Sequence, residues 1–157
     1  MLYRITLQML RRSKKRGPVR SKKVTIDGID FKSGLEAYMY KALKEAGIQA
    51  EYEGVKYELT PSFDFNNNSY ERQGNGKGEY KNRGSKKILK ISYTPDFTGR
   101  GFIIECKGRP NEAFPIRWKL FKKFAVDTWG SAITIYKPQN QKECDETIKL
   151  ILSKRKP

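Results

Sequence analysis

Two carboxylates and an ammonium group are spaced so that a short hairpin would bring them together. Asp96 precedes the turn-forming segment 99–101, and Glu105 and Lys107 follow it in a strand predicted over 102–107. Side chains alternate between the two faces of a strand, so Glu105 and Lys107 project on one face. If the loop of the hairpin is at positions 100 and 101, Asp96 lies directly opposite Glu105 on the paired strand. If the loop is at 99 and 100, Asp96 lies diagonally across from Glu105. Both registers place the two carboxylates on one face.

Converging carboxylates repel each other unless a divalent cation lies between them. A hard ion that prefers oxygen ligands, such as Mg²⁺, fits Asp96 and Glu105 best, and the backbone carbonyl of Cys106 could add a further oxygen. Lys107 would orient or help to deprotonate a water molecule and stabilise charge on a phosphate. The pattern therefore indicates phosphodiester hydrolysis. The alternative is a pair of surface acids that form exposed cross-strand ion pairs with a lysine.

The composition narrows the chemistry further. The 157 residues include 33 Lys plus Arg, 17 Asp plus Glu and no His, which gives a formal net charge of +16. Without histidine, catalysis must use carboxylates, lysine or metal. Cys106 and Cys144 are too few and too far apart for a zinc knuckle or a redox motif. No secretory signal and no membrane-spanning run is predicted, so we expect a cytoplasmic protein that is not secreted.

The positive charge is concentrated in a basic arm, residues 1–23, which contains nine cations and no acid. Such a block repels itself and gains affinity for a polyanion through counterion release. A solvated tail or a targeting signal is the alternative interpretation. Eight of these cations are predicted to bind DNA: Arg11, Arg12, Lys14, Lys15, Arg16, Arg20, Lys22 and Lys23.

The remaining residues, 24–157, predict one small α/β domain. Apolar spacing predicts a first helix between Phe31 and Ala46, with Ser33 and Glu36 forming a capping box in which the Glu36 side chain reaches back to the N-cap amide. Residues 61–87, rich in Gly, Asn and cations, predict an irregular, mobile insertion. The other elements predicted are extended structure over 48–59, strands over 88–97, 102–107 and 132–136, and helices over 114–128 and 145–153. This order favours a mixed, mainly antiparallel sheet flanked by helices.

The predicted helix after the Lys107 strand has an apolar and a basic side. Ile116, Leu120, Phe121 and Phe124 are predicted core residues, and Trp118 is expected to pack against the sheet rather than stack on a base. The cations in and before this helix that could meet backbone phosphates are Arg109, Arg117, Lys119 and Lys123.

Motif order adds a resemblance to known enzymes. Thr94-Pro95-Asp96-Phe97, followed by Ile104-Glu105-Cys106-Lys107-Gly108, resembles the PD-(D/E)xK nuclease signature, with Cys106 at the variable position. Upstream, Phe31-Lys32-Ser33-Gly34-Leu35-Glu36 and Glu51-Tyr52-Glu53 stand in the order found in the bacteriophage endonuclease I family of Holliday-junction resolvases, which this chain resembles.

The resemblance implies a restriction-endonuclease-like core with a central mixed β-sheet flanked by helices. It implies that Glu36 joins Asp96, Glu105 and Lys107 in the active site, although a helix cap explains Glu36 equally well. It also implies two Mg²⁺ ions per site, for which Mn²⁺ can substitute, with Asp96 bridging them. Members of that family are homodimers that exchange segments, so Glu36 would come from the other chain. The insertion falls where the family has a short connecting segment.

The function expected from the resemblance is a metal-dependent, structure-selective DNA endonuclease that resolves four-way junctions or other branched DNA. The basic arm and the insertion would supply sequence-independent contacts. A phage-encoded enzyme of recombination, debranching or host-DNA breakdown, acting in the host cytoplasm, is the setting that the resemblance suggests. Two alternatives are a PD-(D/E)xK nuclease that nicks or trims linear or mismatched DNA, and a non-catalytic basic nucleic-acid-binding protein.

Overall fold

A computed structural model describes residues 22–155 and shows an α/β chain. A short 3₁₀ turn, Gly130–Ala132, follows the second helix. The elements run along the chain as β1 (Val24–Ile26), β2 (Ile29–Phe31), α1 (Gly34–Glu45), β3 (Ala50–Tyr52), β4 (Tyr57–Thr60), β5 (Phe63–Phe65), β6 (Tyr70–Glu71), β7 (Lys81–Asn82), β8 (Lys86–Ile88), β9 (Ile91–Tyr93), β10 (Phe97–Gly99), β11 (Phe102–Ile104), α2 (Phe114–Trp129), β12 (Thr134–Tyr136) and α3 (Gln141–Arg155).

The central sheet has four strands in the order β12-β11-β10-β3. The β11–β12 pair is parallel, whereas β10 is antiparallel to both β11 and β3. The predicted mixed, mainly antiparallel sheet is therefore confirmed. The parallel pair requires a crossover connection, and α2 supplies it between β11 and β12.

Helices cover both faces of this sheet. Ile104 packs in one apolar cluster with buried residues of α1 and α3, such as Met39 and Ile151. Its neighbour Ile103 points the other way and packs with Phe121 of α2. Because consecutive strand residues face opposite sides, β11 is apolar at every position and is buried on both faces. The predicted flanking of the sheet by helices is confirmed.

Helix α1 begins where the sequence predicts, but its cap differs in detail. Ser33 is the N-cap, and its hydroxyl accepts a hydrogen bond from the Glu36 backbone N–H at 3.2 Å. The Glu36 carboxylate accepts from the Lys32 N–H at 3.1 Å, one residue before the N-cap amide that a capping box uses. The helix ends at Glu45, and Gly47 follows with a φ of +65°, a conformation that glycine adopts without strain.

Residues 61–87, predicted to be an irregular insertion, are irregular only in part, because they contain β5, β6, β7 and most of β8. These residues form most of an antiparallel ribbon, built from the successive pairs β4–β9, β5–β8 and β6–β7. The side chains of 61–87 are mostly exposed and lie outside the apolar clusters, whereas Tyr57, Leu59 and Tyr93 in β4 and β9 pack in the cluster that covers α2. Strands were hard to recognise here because neither face is buried, so no alternation of apolar and polar residues marks them.

Two further differences concern helices. Helix α3 starts at Gln141 rather than Asp145, because Asn140 caps it by accepting from the Glu143 N–H at 2.9 Å. Ile116 in α2 is 67% exposed, so its predicted place in the core is wrong, whereas the predicted packing of Trp118 is confirmed by its burial.

Among residues 22–155, no helix has the length and apolar character needed to cross a membrane.

Candidate active site

The β10–β11 hairpin brings Asp96 and Glu105 together as the two-residue-loop register predicts. Phe97 pairs with Ile104 and Gly99 pairs with Phe102, which leaves the loop at positions 100 and 101. The next positions outward are therefore Asp96 and Glu105. The Cys106 backbone N–H donates to the Asp96 carboxylate at 2.6 Å, which ties the two strands together at this point.

Lys107 lies on the same side of its strand as Glu105. Beyond β11, the Glu105 N–H donates to the Tyr136 carbonyl at 2.9 Å and the Lys107 N–H donates to the Pro138 carbonyl at 3.0 Å. This strand-like pairing continues through Lys107, so positions 105 and 107 share a face. The Lys107 ammonium lies 4.9 Å from the centre of the Phe114 ring, a cation–π contact that orients it.

These side chains line one open cleft of about 1120 Å³. Asp96 and Glu105 are only 8% and 6% exposed, although both face this cleft. Glu36 lines it too, from the first turn of α1 of the same chain. One chain therefore assembles all four predicted catalytic residues without exchange of a segment.

Glu36 is held by three donors as well as facing the cleft. One of its carboxylate oxygens accepts from the Tyr52 hydroxyl at 2.6 Å and from the Lys32 N–H, and the other accepts from the Ser33 hydroxyl at 2.8 Å. The cap interpretation of Glu36 is thus supported by its contacts. Its place in the cleft also adds a third negative charge beside Asp96, so the two interpretations are compatible.

A tyrosine that the sequence analysis did not single out orients Glu105. The Tyr93 hydroxyl donates to Glu105 at 2.5 Å, from a ring that is buried against Trp118 and Phe121. Burial, followed by the Glu105 charge, raises the pKa of Tyr93, so the hydroxyl keeps its proton and remains a donor. Tyr52 has the same relation to Glu36, and burial likewise raises its pKa.

The electrostatics of the cleft disfavour a fully ionised acidic cluster. Burial raises the pKa of Asp96 to about 8, and the charges of Glu105 and Glu36 contribute to that shift. Burial also raises the pKa of Glu105, while the Tyr93 hydrogen bond and the Lys107 charge oppose it. Two like charges held this close require a counter-charge in order to ionise together, and a cation would provide it.

The mouth of the cleft carries both signs of charge. Lys32 forms an ion pair with Glu53, which raises the pKa of Lys32, and both residues line the cleft. Glu53 has a φ of +47°, unusual for a residue with a side chain, and its N–H donates to the Asp96 carbonyl at 2.8 Å. Sequence reasoning missed this role because only the fold places Glu53 beside Asp96.

Only some of the predicted DNA-binding cations lie at this cleft. Arg109 and Arg117 line it, and both are exposed. Lys119 and Lys123 are exposed on α2 away from the cleft lining, and Lys123 forms an ion pair with Asp127 at 2.9 Å. Lys22 and Lys23 are exposed at the start of the described chain. The predictions for Arg11, Arg12, Lys14, Lys15, Arg16 and Arg20 lie outside the described residues.

The Cys106 side chain packs in the apolar cluster that contains Cys144. Its sulfur contacts that of Cys144, and both cysteines are buried and unpaired by disulfide. The contact with Cys144 and burial raise the pKa of the Cys106 thiol, so it stays protonated. The Cys106 backbone N–H donates to the Asp96 carboxylate and so holds it in the cleft.

A metal ion would have to be held by few protein ligands. Within residues 22–155, no group of three or more acidic or cysteine side chains is arranged to enclose one ion. Asp96 and Glu105 offer carboxylate oxygens, the donor type that Mg²⁺ prefers, and Mg²⁺ commonly uses one or two protein carboxylates and retains several waters. The donor set and the charge repulsion at Asp96 fit such an ion.

The fold and the cleft define an α/β protein that holds an acidic pair and a lysine at the end of a β-hairpin. A family model described as "protein of unknown function (DUF1064)" matches residues 16–137, and the chain belongs to that family. Neither a curated protein nor a solved structure matches the chain.

Proposed function

We propose that this protein is a metal-dependent, structure-selective DNA endonuclease with a restriction-endonuclease-like PD-(D/E)xK core. The observation that carries the proposal is the meeting of Asp96, Glu105 and Lys107 in one cleft beside Arg109 and Arg117. Acids that hold a metal, a lysine beside them and cations that meet phosphates are the parts that phosphodiester hydrolysis requires. The motif resemblance supports the same conclusion independently of the geometry.

Asp96 and Glu105 would hold Mg²⁺, or Mn²⁺ in its place, with Glu36 and the Cys106 carbonyl as further candidate ligands. Two ions per site, with Asp96 between them, is the arrangement that the resemblance implies. When bound, the metal supplies Lewis-acid activation of the phosphate and of a nucleophilic water. Tyr93 fixes the orientation of Glu105, and the Cys106 N–H fixes that of Asp96.

Lys107 would contribute a fixed positive charge where the phosphate gains negative charge. The Phe114 ring restricts its ammonium to the cleft side of the strand, which favours a stabilising or water-orienting role. Arg109 and Arg117, whose planar guanidinium groups can form paired hydrogen bonds with phosphate, would position the flanking phosphates.

The substrate that we propose is branched DNA, with four-way junctions first. A net charge of +16 favours a polyanionic partner, and contacts through charge read phosphates and shape rather than bases. A homodimer would present two clefts to opposite strands of a junction. Because one chain assembles Glu36 with Asp96, we propose a dimer that does not exchange this segment. A role in phage recombination or debranching in the host cytoplasm would suit such an activity.

The substrate choice is tested by cleavage of matched DNAs. Pure protein and its Asp96→Ala variant are incubated with Mg²⁺ on a four-way junction and on linear duplexes made from the same arms. We expect cleavage of the junction by the unmodified protein alone, and continued DNA binding by the variant. Equal cleavage of both DNAs would favour a nuclease that nicks or trims linear DNA. Cleavage of neither would favour a basic binding protein without catalysis.

A further inference from the structure

The antiparallel ribbon, residues 57–93, is built from strand pairs that are separate from the central sheet. Its pairing begins at Tyr57 with Tyr93 and continues to Glu71 with Lys81, with the register offset by one residue at each of two steps. The two sides of the ribbon, 57–71 and 81–93, have 15 and 13 residues. At roughly 3.3 Å per residue, their length is on the order of 40 Å. This is a projection long enough to follow a duplex over a full helical turn.

The outer part of the ribbon exposes aromatic rings as well as polar groups. Phe63, Tyr70 and Tyr80 are 49%, 60% and 69% exposed, and the rings of the two tyrosines lie 6.3 Å apart near the far end. A two-stranded ribbon without a covered face is marginally stable alone. Exposed rings on such an element indicate a surface that a partner covers.

The charge of the ribbon favours a negatively charged partner. Segment 61–87 contains six cations and three acids. Lys86 pairs with Glu71 at 3.4 Å, whereas the other five cations form no ion pair within the described chain: Arg72, Lys77, Lys81, Arg83 and Lys87. Of these, Arg83 donates to the backbone carbonyls of Glu71 and Glu79. A polyanion would complement this surface. A second copy of a chain with net charge +16 would instead bring like charges together.

The base of the ribbon is fixed beside the candidate active site. Tyr57 packs against Phe124 and Trp129 of α2, with ring centres 5.5 Å and 5.2 Å away. On the other strand, Tyr93 donates to Glu105 in the cleft. A duplex that lies along the whole ribbon would therefore reach the acidic pair at the ribbon's base.

From these features we infer that the ribbon docks in a groove of a DNA duplex and holds that duplex against the cleft, an inference that rests on the proposed function. The major groove, about 12 Å wide, admits a two-stranded ribbon. Exposed cations on the strands would meet phosphates on the groove walls, while Tyr70 and Tyr80 would lie against sugars and base edges. Binding of this kind reads the shape of a duplex arm rather than its sequence.

Binding of a fluorescent linear duplex, measured by anisotropy across salt concentrations, tests the inference. All proteins carry Asp96→Asn, and EDTA is present, so that no cleavage occurs. The ribbon variant is Arg72→Ala with Lys81→Ala, and the matched control is Lys41→Ala with Lys149→Ala, which removes the same charge from exposed helix positions. We expect the slope of log Kd against log salt to fall by about two for the ribbon variant only. Equal slopes for the two double variants would overturn the inference.

Light scattering on the same proteins tests the alternative that the ribbon binds a second copy of the chain. A ribbon variant that keeps its DNA affinity but changes from dimer to monomer would overturn the inference in favour of a second copy as the occupant. Failure of the proposed function gives a different result. A protein that never cleaves DNA but loses duplex affinity in the ribbon variant would contradict the nuclease proposal and support the ribbon inference.

Discussion

At the scale of single residues, two hydrogen bonds hold the carboxylates of the cleft, because the Tyr93 hydroxyl donates to Glu105 and the Cys106 N–H donates to Asp96. Asp96, Glu105 and Lys107 could be predicted together because strand alternation and a short hairpin leave few possible registers. Tyr93 and Glu53 could not, because their relation to the carboxylates depends on contacts across separate elements. A tyrosine in an apolar stretch gives no sign in the sequence of where its hydroxyl points.

Tyr93 provides a test of how Glu105 is held. In Tyr93→Phe the ring keeps its contacts with Trp118 and Phe121, but the donor to Glu105 is lost. Because that hydrogen bond opposes the upward shift of the Glu105 pKa, its loss makes ionisation harder. We predict that the acid limb of the pH–rate profile moves to higher pH, and that the Mg²⁺ concentration for half-maximal cleavage rises by roughly tenfold.

The control for this change is Tyr57→Phe, which alters a ring of the same aromatic cluster outside the cleft lining. It should leave both the pH profile and the Mg²⁺ dependence as they are in the unmodified protein. A Tyr93→Phe protein that differs only in thermal stability would show that Tyr93 has a packing role alone.

Asp96 gives a prediction for stability against pH in the metal-free protein. Its pKa is about 8 in the folded chain and about 3.9 in the unfolded chain, so the folded state binds a proton that the unfolded state has lost. The stability contributed by this group is therefore fully present below pH 4 and is lost as the pH rises towards 8.

The Asp96→Asn side chain does not ionise but retains an acceptor for the Cys106 N–H. We therefore expect the stability of this variant not to fall through Asp96 ionisation as the pH rises. In EDTA, its Tm relative to that of the unmodified protein should increase between pH 5 and pH 8. Asp127→Asn, a change at an exposed ion pair on α2, should follow the unmodified protein at every pH. Parallel Tm curves for Asp96→Asn and the unmodified protein would mean that Asp96 is ionised throughout this range.

At the scale of elements, the helices and strands that could be predicted from the sequence are those with a buried apolar face. The first two helices and the hairpin of β10 and β11 have apolar faces whose period appears in the sequence. Segment 61–87 of the ribbon has no buried face, so its short strands β5 to β8 could not be predicted. The early start of α3 was missed, although Asn140 and Glu143 have the N-cap spacing that indicates a helix start.

Gly84 tests whether the ribbon acts as one element. A Cβ atom there would lie 1.8 Å from the backbone oxygen of Asn67, on the opposite strand, so Gly84→Ala must force the strands apart. Gly74→Ala adds the same methyl group with nothing within 4 Å. We predict weaker duplex binding for Gly84→Ala only, with Tm changed by less than about 3 °C because segment 61–87 lies outside the apolar clusters.

Proteolysis provides a second readout of the same pair of variants. If the ribbon opens in Gly84→Ala, segment 61–87 should be cleaved sooner than in Gly74→Ala, while the rest of the chain stays resistant. Equal duplex affinity and equal proteolysis rates for the two glycine variants would show that this close approach does not support the ribbon.

At the scale of the whole molecule, the chain combines a large excess of cations with a small cluster of buried acids. More than half of its positive excess is carried by residues 1–23, and segment 61–87 adds six cations against three acids, whereas Asp96, Glu105 and Glu36 are the buried acids among the described residues. Acids surrounded by cations would attract both a divalent ion and the phosphates next to it. The lack of histidine fits this arrangement, because a metal and Lys107 can supply the charge stabilisation that imidazole supplies elsewhere.

The most direct test of the central claim, a metal site at Asp96 and Glu105, is calorimetric titration of the full-length protein with Mn²⁺ without DNA. We predict saturable binding that Asp96→Asn and Glu105→Gln each weaken by at least tenfold, and that Lys41→Ala leaves unchanged. Both carboxylate variants keep the shape of the original side chain, so circular dichroism should confirm that they fold. Binding of Mn²⁺ with undiminished affinity in both variants, or no saturable binding to the unmodified protein, would contradict the claim.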